Sequence, residues 1–235
     1  MNYFLKRYWV FIFLLLCFSC KRTVHGTGPI VSETKNVDHI SEIELSIPAN
    51  VTIFEADSFS CVIGAQKNIL DIIKTKSDGD EFTIESDKNF NIEKPVQIVI
   101  SLPKISALTI NGLGDITCLN GLREKELKLE VNGSGKIKLS GNITDMESNI
   151  NGSGDIYLDG RGEKHKVSIN GSGNLHAYPF ESAESKIEIA GSGDAEVTVT
   201  DELKADISGS GNIHYKGNPH VKSDITGSGE VRKTE

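Results

Sequence analysis

From Ile40 onward, apolar and polar residues alternate in short runs. Ile43, Leu45 and Ile47 are separated by Glu44 and Ser46, and after a turn at Pro48-Ala49-Asn50 the run Val51-Thr52-Ile53-Phe54 follows. Period-two alternation is the pattern of a strand with one buried face. Further runs at Ser60–Ile63, Ile69–Lys74, Glu81–Ile84 and Val96–Ile100 are separated by turn residues such as Asp78-Gly79-Asp80. Lys94-Pro95 and Leu102-Pro103 bracket the last run, as expected of a residue tolerated at strand ends but not in mid-sheet. Asn68–Thr75 has room for one helical turn, and nothing longer reads as helix, so the pattern predicts an all-β chain.

After Pro103 the alternation becomes periodic. A corner of the type Asn-Gly-Ser-Gly recurs with its first glycine at Gly112, Gly133, Gly152, Gly171, Gly191, Gly209 and Gly227, giving spacings of 21, 19, 19, 20, 18 and 18 residues. A fixed period of this size marks a repeat architecture, in which stacked units share one core because no unit can bury its apolar face alone. Two positions before the first glycine stand Ile110, Val131, Ile150, Ile169, Ile189, Ile207 and Ile225. Four after it come Ile116, Ile137, Ile156, Leu175, Ala195, Ile213 and Val231, and six after it Cys118, Leu139, Leu158, Ala177, Val197, Tyr215 and Lys233. These are the expected inward columns, and Lys233 is where the pattern ends. A second corner is expected eight to ten residues on, at Gly121, Gly141, Gly160, Pro179, Asp201 and Gly217.

The column just before the main corner reads Asn111, Asn132, Asn151, Asn170, Ala190, Ser208 and Thr226. Stacked asparagines can bond from rung to rung; as single residues they can also favour a positive-φ turn, and the sequence leaves both readings open. Two topologies fit the period. One is a parallel β-solenoid, a single-stranded β-helix with a right-handed sense preferred, preceded by a strand-rich capping segment. The alternative is an antiparallel meander of hairpins, for which Asn-Gly is a strong signal. Recurrence of side-chain type at each level favours the solenoid.

Pro103-Lys104-Ile105, then Leu108–Ile116 with Asn111-Gly112-Leu113-Gly114-Asp115 at its centre, then the Gly-Ser-Gly-Asp units resemble the head GIN domain family of auto-transporter adhesins, common in Bacteroidetes envelope proteins. The resemblance covers roughly residues 40–233. It implies a β-helix-like fold on a secreted or lipid-anchored protein and carries over no catalytic residue.

The first residues change the picture of location. Lys6 and Arg7 precede an apolar run, Tyr8–Phe18, and then Ser19-Cys20. The run is shorter than the roughly 20 residues of a spanning helix and reads as an export signal, residues 1–19. Its ending resembles a bacterial lipoprotein signal with Cys20 as the lipidated residue, although Cys17 stands where that signal usually has an aliphatic one. Residues 20–38 then read as a lipid-anchored flexible tether and residues 39–235 as one repeat domain, with a lead-in over 39–103 and the repeats over 104–235. The expected location is the cell envelope, at the outer membrane, with periplasmic or secreted alternatives.

Composition gives 25 Lys and Arg against 33 Asp and Glu; cleavage would remove Lys6 and Arg7 and leave a formal net charge of −10. No basic block remains to hold phosphates, so nucleic acid is not an expected partner. Cys61 and Cys118 could be bridged in an oxidising compartment, but each sits in an apolar strand pattern and reads as a small buried hydrophobe.

No nucleophile elbow, paired-cysteine metal motif, phosphate loop or dinucleotide fingerprint is present, so neither catalytic residues nor cofactors are assigned. Calcium is not expected either. The column three after the first glycine (Asp115, Lys136, Asp155, Asn174, Asp194, Asn212, Glu230) interrupts its carboxylates with Lys and Asn, and no nine-residue period is present. One outward column is chemically richer: Thr117, Lys138, Tyr157, His176, Glu196, His214 and Arg232. At one rung per 4.8 Å or so these form a stripe. Lys138, Tyr157, His176, Glu196 and His214 are its candidate binding residues, for a glycan or an envelope protein. The functional expectation is a non-catalytic envelope lipoprotein acting as a binding, adhesion or structural module, contacting the membrane through its lipid. A carbohydrate-active β-helix enzyme, lyase or hydrolase, is the alternative. Oligomeric state has no signal here.

Overall fold

The computed structural model describes residues 23–235; the expected signal and Cys20 lie outside that range. The elements in chain order are β1 (Val24–His25), β2 (Ile30–Lys35), β3 (Glu42–Leu45), β4 (Ala49–Glu55), β5 (Ser60–Gln66), α1 (Lys67–Leu70), β6 (Ile73–Asp78), β7 (Glu81–Ser86), β8 (Phe90–Asn91) and β9 (Val96–Leu102). The repeats follow as β10 (Ala107–Gly112), β11 (Asp115–Leu119), β12 (Leu122–Gly133), β13 (Lys136–Gly152), β14 (Asp155–Gly171), β15 (Asn174–Gly191), β16 (Ala195–Gly209), β17 (Ile213–Lys216), β18 (His220–Gly227) and β19 (Val231–Lys233).

Every repeat pairs in parallel with the next. Val131 lies beside Ile150, Ile150 beside Ile169, and Gly133, Gly152 and Gly171 share one level. The fold is a parallel β-solenoid, and the hairpin alternative is excluded. At each corner the first glycine has positive φ, +129° at Gly152, and the next rung's serine amide donates to its carbonyl, as Ser172 N does to Gly152 O at 2.8 Å. The ladder therefore continues through the corner and leaves that carbonyl satisfied.

The three apolar columns read from sequence are buried as far as Val197, Ile207 and Ile213, with Tyr215 and Val231 half-buried and Ile225 and Lys233 exposed at the end of the stack, and two more columns join them. Four residues before the first glycine, Leu108, Leu129, Val167, Ile187 and Ala205 are buried; six before it, Leu127, Met146 and Leu203 are. The expected second corner is a bend within one strand in β13 to β16, and a break at Gly121 and Gly217, where β11 gives way to β12 and β17 to β18. β13, β14 and β15 run through Gly141, Gly160 and Pro179, and positive φ is taken at Gly160, Gly217 and Asn120 but not at Gly141. Strand pairing survives because inter-rung bonds lie along the stack axis and tolerate a change of direction in the plane of the rung.

The lead-in residues build rungs too. β3 and β4 pair in parallel with β10 and β11 on one side and with β7 and β9 on the other. The chain therefore makes the β3–β4 rung first, lays the β7–β9 rung beneath it, and crosses back to start β10 above. Ser106 N donating to Ser41 O at 2.8 Å and Ile105 N donating to Glu124 Oε1 at 2.8 Å hold that crossover. The lower end is closed by antiparallel strands: β5 on β9, β2 on β5 and β6 on β7. This end therefore finishes in antiparallel strands, with β2 and β6 outermost, rather than in another parallel rung.

Within the stretch expected as a tether, residues 24–35 carry two strands: β1 pairs with β8 and β2 with β5. The five residues Ile30–Thr34 are exposed and Lys35 is half-buried, so backbone bonding to β5 orders this strand, and that contribution leaves no apolar pattern in the sequence. The helical option near Asn68 is one turn, α1, followed at once by strand β6. Cys61 and Cys118 are both buried and free, and burial pushes each thiol up to about 12.

Candidate functional site

The outward side chains of a parallel stack are set by register, and the register places the predicted stripe residues on successive rungs. Thr117 lies beside Lys138, Lys138 beside Tyr157, Tyr157 beside His176, His176 beside Glu196, Glu196 beside His214, and His214 beside Arg232. All five candidate residues are thus brought together in one line.

Their contacts determine which atoms remain available. The Lys138 ammonium lies 5.6 Å from the Tyr157 ring centroid, and the Tyr157 and His176 rings stack at 4.6 Å with 16° between planes. His176 Nδ1 and Glu196 Oε2 are 2.9 Å apart. The ring faces are therefore used internally, and what the stripe presents outward is ring edges: a phenol hydroxyl, an imidazole nitrogen, a carboxylate and an ammonium, one rung apart. That is a line of hydrogen-bonding groups at a spacing near 4.8 Å.

Beside it an open depression of about 450 Å³ is lined by Leu119, Ser140, Tyr157, Asp159, His176 and Pro179. Leu119 is one of the few exposed large apolar side chains among the described residues. Pro179 reaches this position because β15 carries extra residues relative to β14 and β16, with register shifts on both sides. The irregularity turns Phe180 into the core and leaves the proline outside, where its missing N–H costs no ladder bond. Leu119 and Asp159 were not singled out from sequence, and Pro179 was read there only as a corner residue. The outward column seven after the first glycine, which holds Leu119, Ser140 and Asp159, would have shown the first two.

A second polar cluster lies inside the solenoid. Ser148, His165, Ser182 and Ser185 are buried, with Ser148 Oγ and His165 Nε2 3.0 Å apart and the Ser182 and Ser185 hydroxyls 2.8 Å apart. His165 meets Phe180 edge-on at 5.5 Å, and burial drives its pKa down to about 4. A neutral, enclosed Ser-His pair is a satisfied element of the core. Among the described residues, no three His, Cys, Asp or Glu are grouped to hold a metal.

A family model matches residues 39–219, nearly all of the described solenoid, under the description "Putative auto-transporter adhesin, head GIN domain". The chain belongs to the head GIN domain family. Crystal structures of similar fold include a "putative adhesin" from Bacteroides fragilis NCTC 9343, with TM-score 0.85, 21% identity, and coverage of 90% of this chain and 100% of that one. Another "putative adhesin", from Parabacteroides merdae ATCC 43184, superposes with TM-score 0.72 at 22% identity, covering 91% of this chain and 99% of its own. A "putative lipid binding protein" from Parabacteroides distasonis ATCC 8503 gives 0.70 at 21% identity, with 91% and 100% covered. At such identities the shared property is the solenoid itself. No curated protein matches the chain. The family model and two of these structures carry an adhesin description and the third a lipid-binding one, and the family description points to the cell surface or envelope.

Proposed function

We propose that this head GIN domain protein is a non-catalytic, lipid-anchored module of the outer membrane that binds a glycan along the stripe from Lys138 to His214. The observation carrying the reading is the alignment of Lys138, Tyr157, His176 and Glu196 on adjacent rungs beside the depression at Leu119 and Pro179. An extended sugar chain repeats at a length close to the rung spacing, so it can place hydroxyls against successive rungs. Its apolar C–H faces can rest on the leucine and proline. Donors and acceptors in a row suit holding a polymer, whereas glycoside cleavage needs two carboxyls facing each other across one bond.

Glycan-array binding by the full chain tests it. The double substitution Tyr157→Ala with His176→Ala should abolish the signal while the circular dichroism melt stays cooperative, and unchanged binding by that variant would overturn the proposal. The anchor is tested separately: a clickable fatty acid should label the wild type, and a Cys20→Ser chain that still took up label would remove the lipid assignment.

A further inference from the structure

The two ends of the solenoid differ. The lower end is covered by β2, β5 and β6, whereas at the upper end β18 pairs on one side with β16 and, among the described residues, has no partner on the other. The inward column records the change. Ile110, Val131, Ile150, Ile169, Ile189 and Ile207 are at most 2% exposed, and Ile225, the next in line, is 40% exposed. An eight-residue strand with an open backbone edge and an uncovered isoleucine invites a further strand.

The charge pattern selects which strand. Lys166, Lys186, Lys204 and Lys222 stack in one outward column, and Glu188, Asp206 and Asp224 stack in the column beside it. Another rung added in parallel and in the same register would extend both like-charge stacks, a cost that the flanking acidic columns offset within the solenoid and that an antiparallel strand avoids altogether. An antiparallel copy of β18 reverses them. With Ser223 opposite Ser223, Lys222 faces Asp224 of the second copy and Asp224 faces its Lys222. In the same register Val221 faces Ile225 on the inner side, and His220 faces Thr226 on the outer. The sequence His220-Val221-Lys222-Ser223-Asp224-Ile225-Thr226 is therefore self-complementary about its central serine in both charge and hydrophobicity. Asp224 has no ion-pair partner among the described residues, while Lys222 is already held by Glu202 at 3.2 Å and so is positioned at the edge.

We propose that the upper end is a homotypic interface, in which β18 of two copies pairs antiparallel about a two-fold axis at Ser223 and joins two solenoids end to end. The contact is isologous, so it closes at two copies and does not grow into a fibre. The capped lower ends then point away from each other. If the anchor proposed above holds, the two membranes lie at opposite ends of the pair and the contact joins one surface to another; the pairing itself does not depend on the anchor or on the glycan stripe.

Cysteine cross-linking of the full chain tests the register. Ser223→Cys should give a disulfide-linked dimer under mild oxidation, whereas Asp224→Cys alone should not, because its opposite number is Lys222. Mixing Asp224→Cys with Lys222→Cys chains should restore the dimer. In the Ser223→Cys background, Lys222→Asp places like charges at both symmetric pairs and should reduce cross-linking by about tenfold. Adding Asp224→Lys should recover it. A Ser223→Cys chain that stays monomeric would overturn the proposal, as would equal cross-linking at positions 223 and 224. All of these side chains are at the exposed edge, and an unchanged thermal melt verifies that each variant is folded.

Discussion

Single residues set the limits within which this fold can vary. At Gly152, φ is +129° and an added Cβ would lie 2.5 Å from the Gly133 carbonyl oxygen, backbone that cannot move without breaking the ladder. Gly152→Ala should therefore cost about 2 kcal/mol or more, while Ser153→Ala on the exposed tip should leave the urea midpoint unchanged. His165 limits the molecule differently. Burial holds its pKa near 4, against about 6.5 for an unfolded histidine. Between pH 6.5 and 4 the unfolded chain takes up a proton that the folded chain refuses. Stability is therefore complete above that window and falls through it by about 3 kcal/mol, at roughly 1.4 kcal/mol per pH unit. His165→Met, which copies Met146 one rung away in the same column, should flatten this part of the pH profile in urea titrations relative to the wild type. The main corner was legible in the sequence because only glycine fits it, so the repeat never departs from it. His165 was not legible, because its column mixes Leu127, Met146, Ser185 and Leu203 with the histidine and carries no uniform chemistry.

At the scale of the strands, stability comes from columns. The asparagine column is a ladder: Asn132 Nδ2 donates to Asn111 Oδ1 at 3.0 Å, Asn151 to Asn132 at 2.8 Å and Asn170 to Asn151 at 3.1 Å. The positive φ belongs to the glycine that follows, so the turn-former reading of these asparagines fails. Asn151→Ala removes a donor and an acceptor from the middle of the ladder and should cost about 1–2 kcal/mol. Asn170→Ala, at the end, should cost roughly half as much, a difference readable as midpoint shifts of about 2–4 °C per kcal/mol. The column with alternating Asp and Asn works similarly. Asn174 Nδ2 donates to Asp155 Oδ1 at 3.2 Å, and Asn212 Nδ2 to Asp194 Oδ1 at 3.0 Å, so the interruption of carboxylates noted in the sequence has a structural purpose. Like charges do stack elsewhere. The Lys166–Lys222 column is tolerated because acidic columns flank it, with Lys186 on Glu188 at 2.5 Å and both Lys204 and Lys222 on Glu202 at 3.3 and 3.2 Å. The stripe at Tyr157 and His176 follows the same rule of vertical neighbours. Its membership could be read from spacing alone, whereas the stacking of its rings against each other could not, since spacing fixes which residues are adjacent but not their rotamers.

The whole molecule behaves as a stack whose ends are chemically different. The lower two rungs share the architecture of the seven above them without the Gly-Ser-Gly corner, and that is why the sequence suggested a separate cap: the period was absent though the rungs were there. If rungs interact mainly with their neighbours, removing a whole one should preserve the rest. The best candidate is the rung carrying the irregular β15. Deleting residues 174–193 joins Gly173 to Asp194, restores the sequence Asn-Gly-Ser-Gly-Asp at the junction, and sets Ile156 beside Ala195 and Ile169 beside Ile207, apolar on apolar. It also removes the register shifts on both faces of that rung while retaining Ser148 as the partner of His165. The shortened chain should unfold in a single cooperative transition at a lower midpoint, by about 2–4 °C for each kcal/mol of lost interface. Deleting only residues 174–183 takes out half a rung, which sets Ser185 beside Ile156, brings the Gly191 corner to Gly162 instead of Gly171, and should abolish the transition. Circular dichroism melts of the two deletions decide the matter. Two cooperative melts would mean that the rungs are not the unit of stability. Because the whole-rung deletion takes His176 out of the stripe while keeping the corners intact, it also separates architecture from glycan binding: a folded chain that no longer binds would place the recognition on the faces that the corners position.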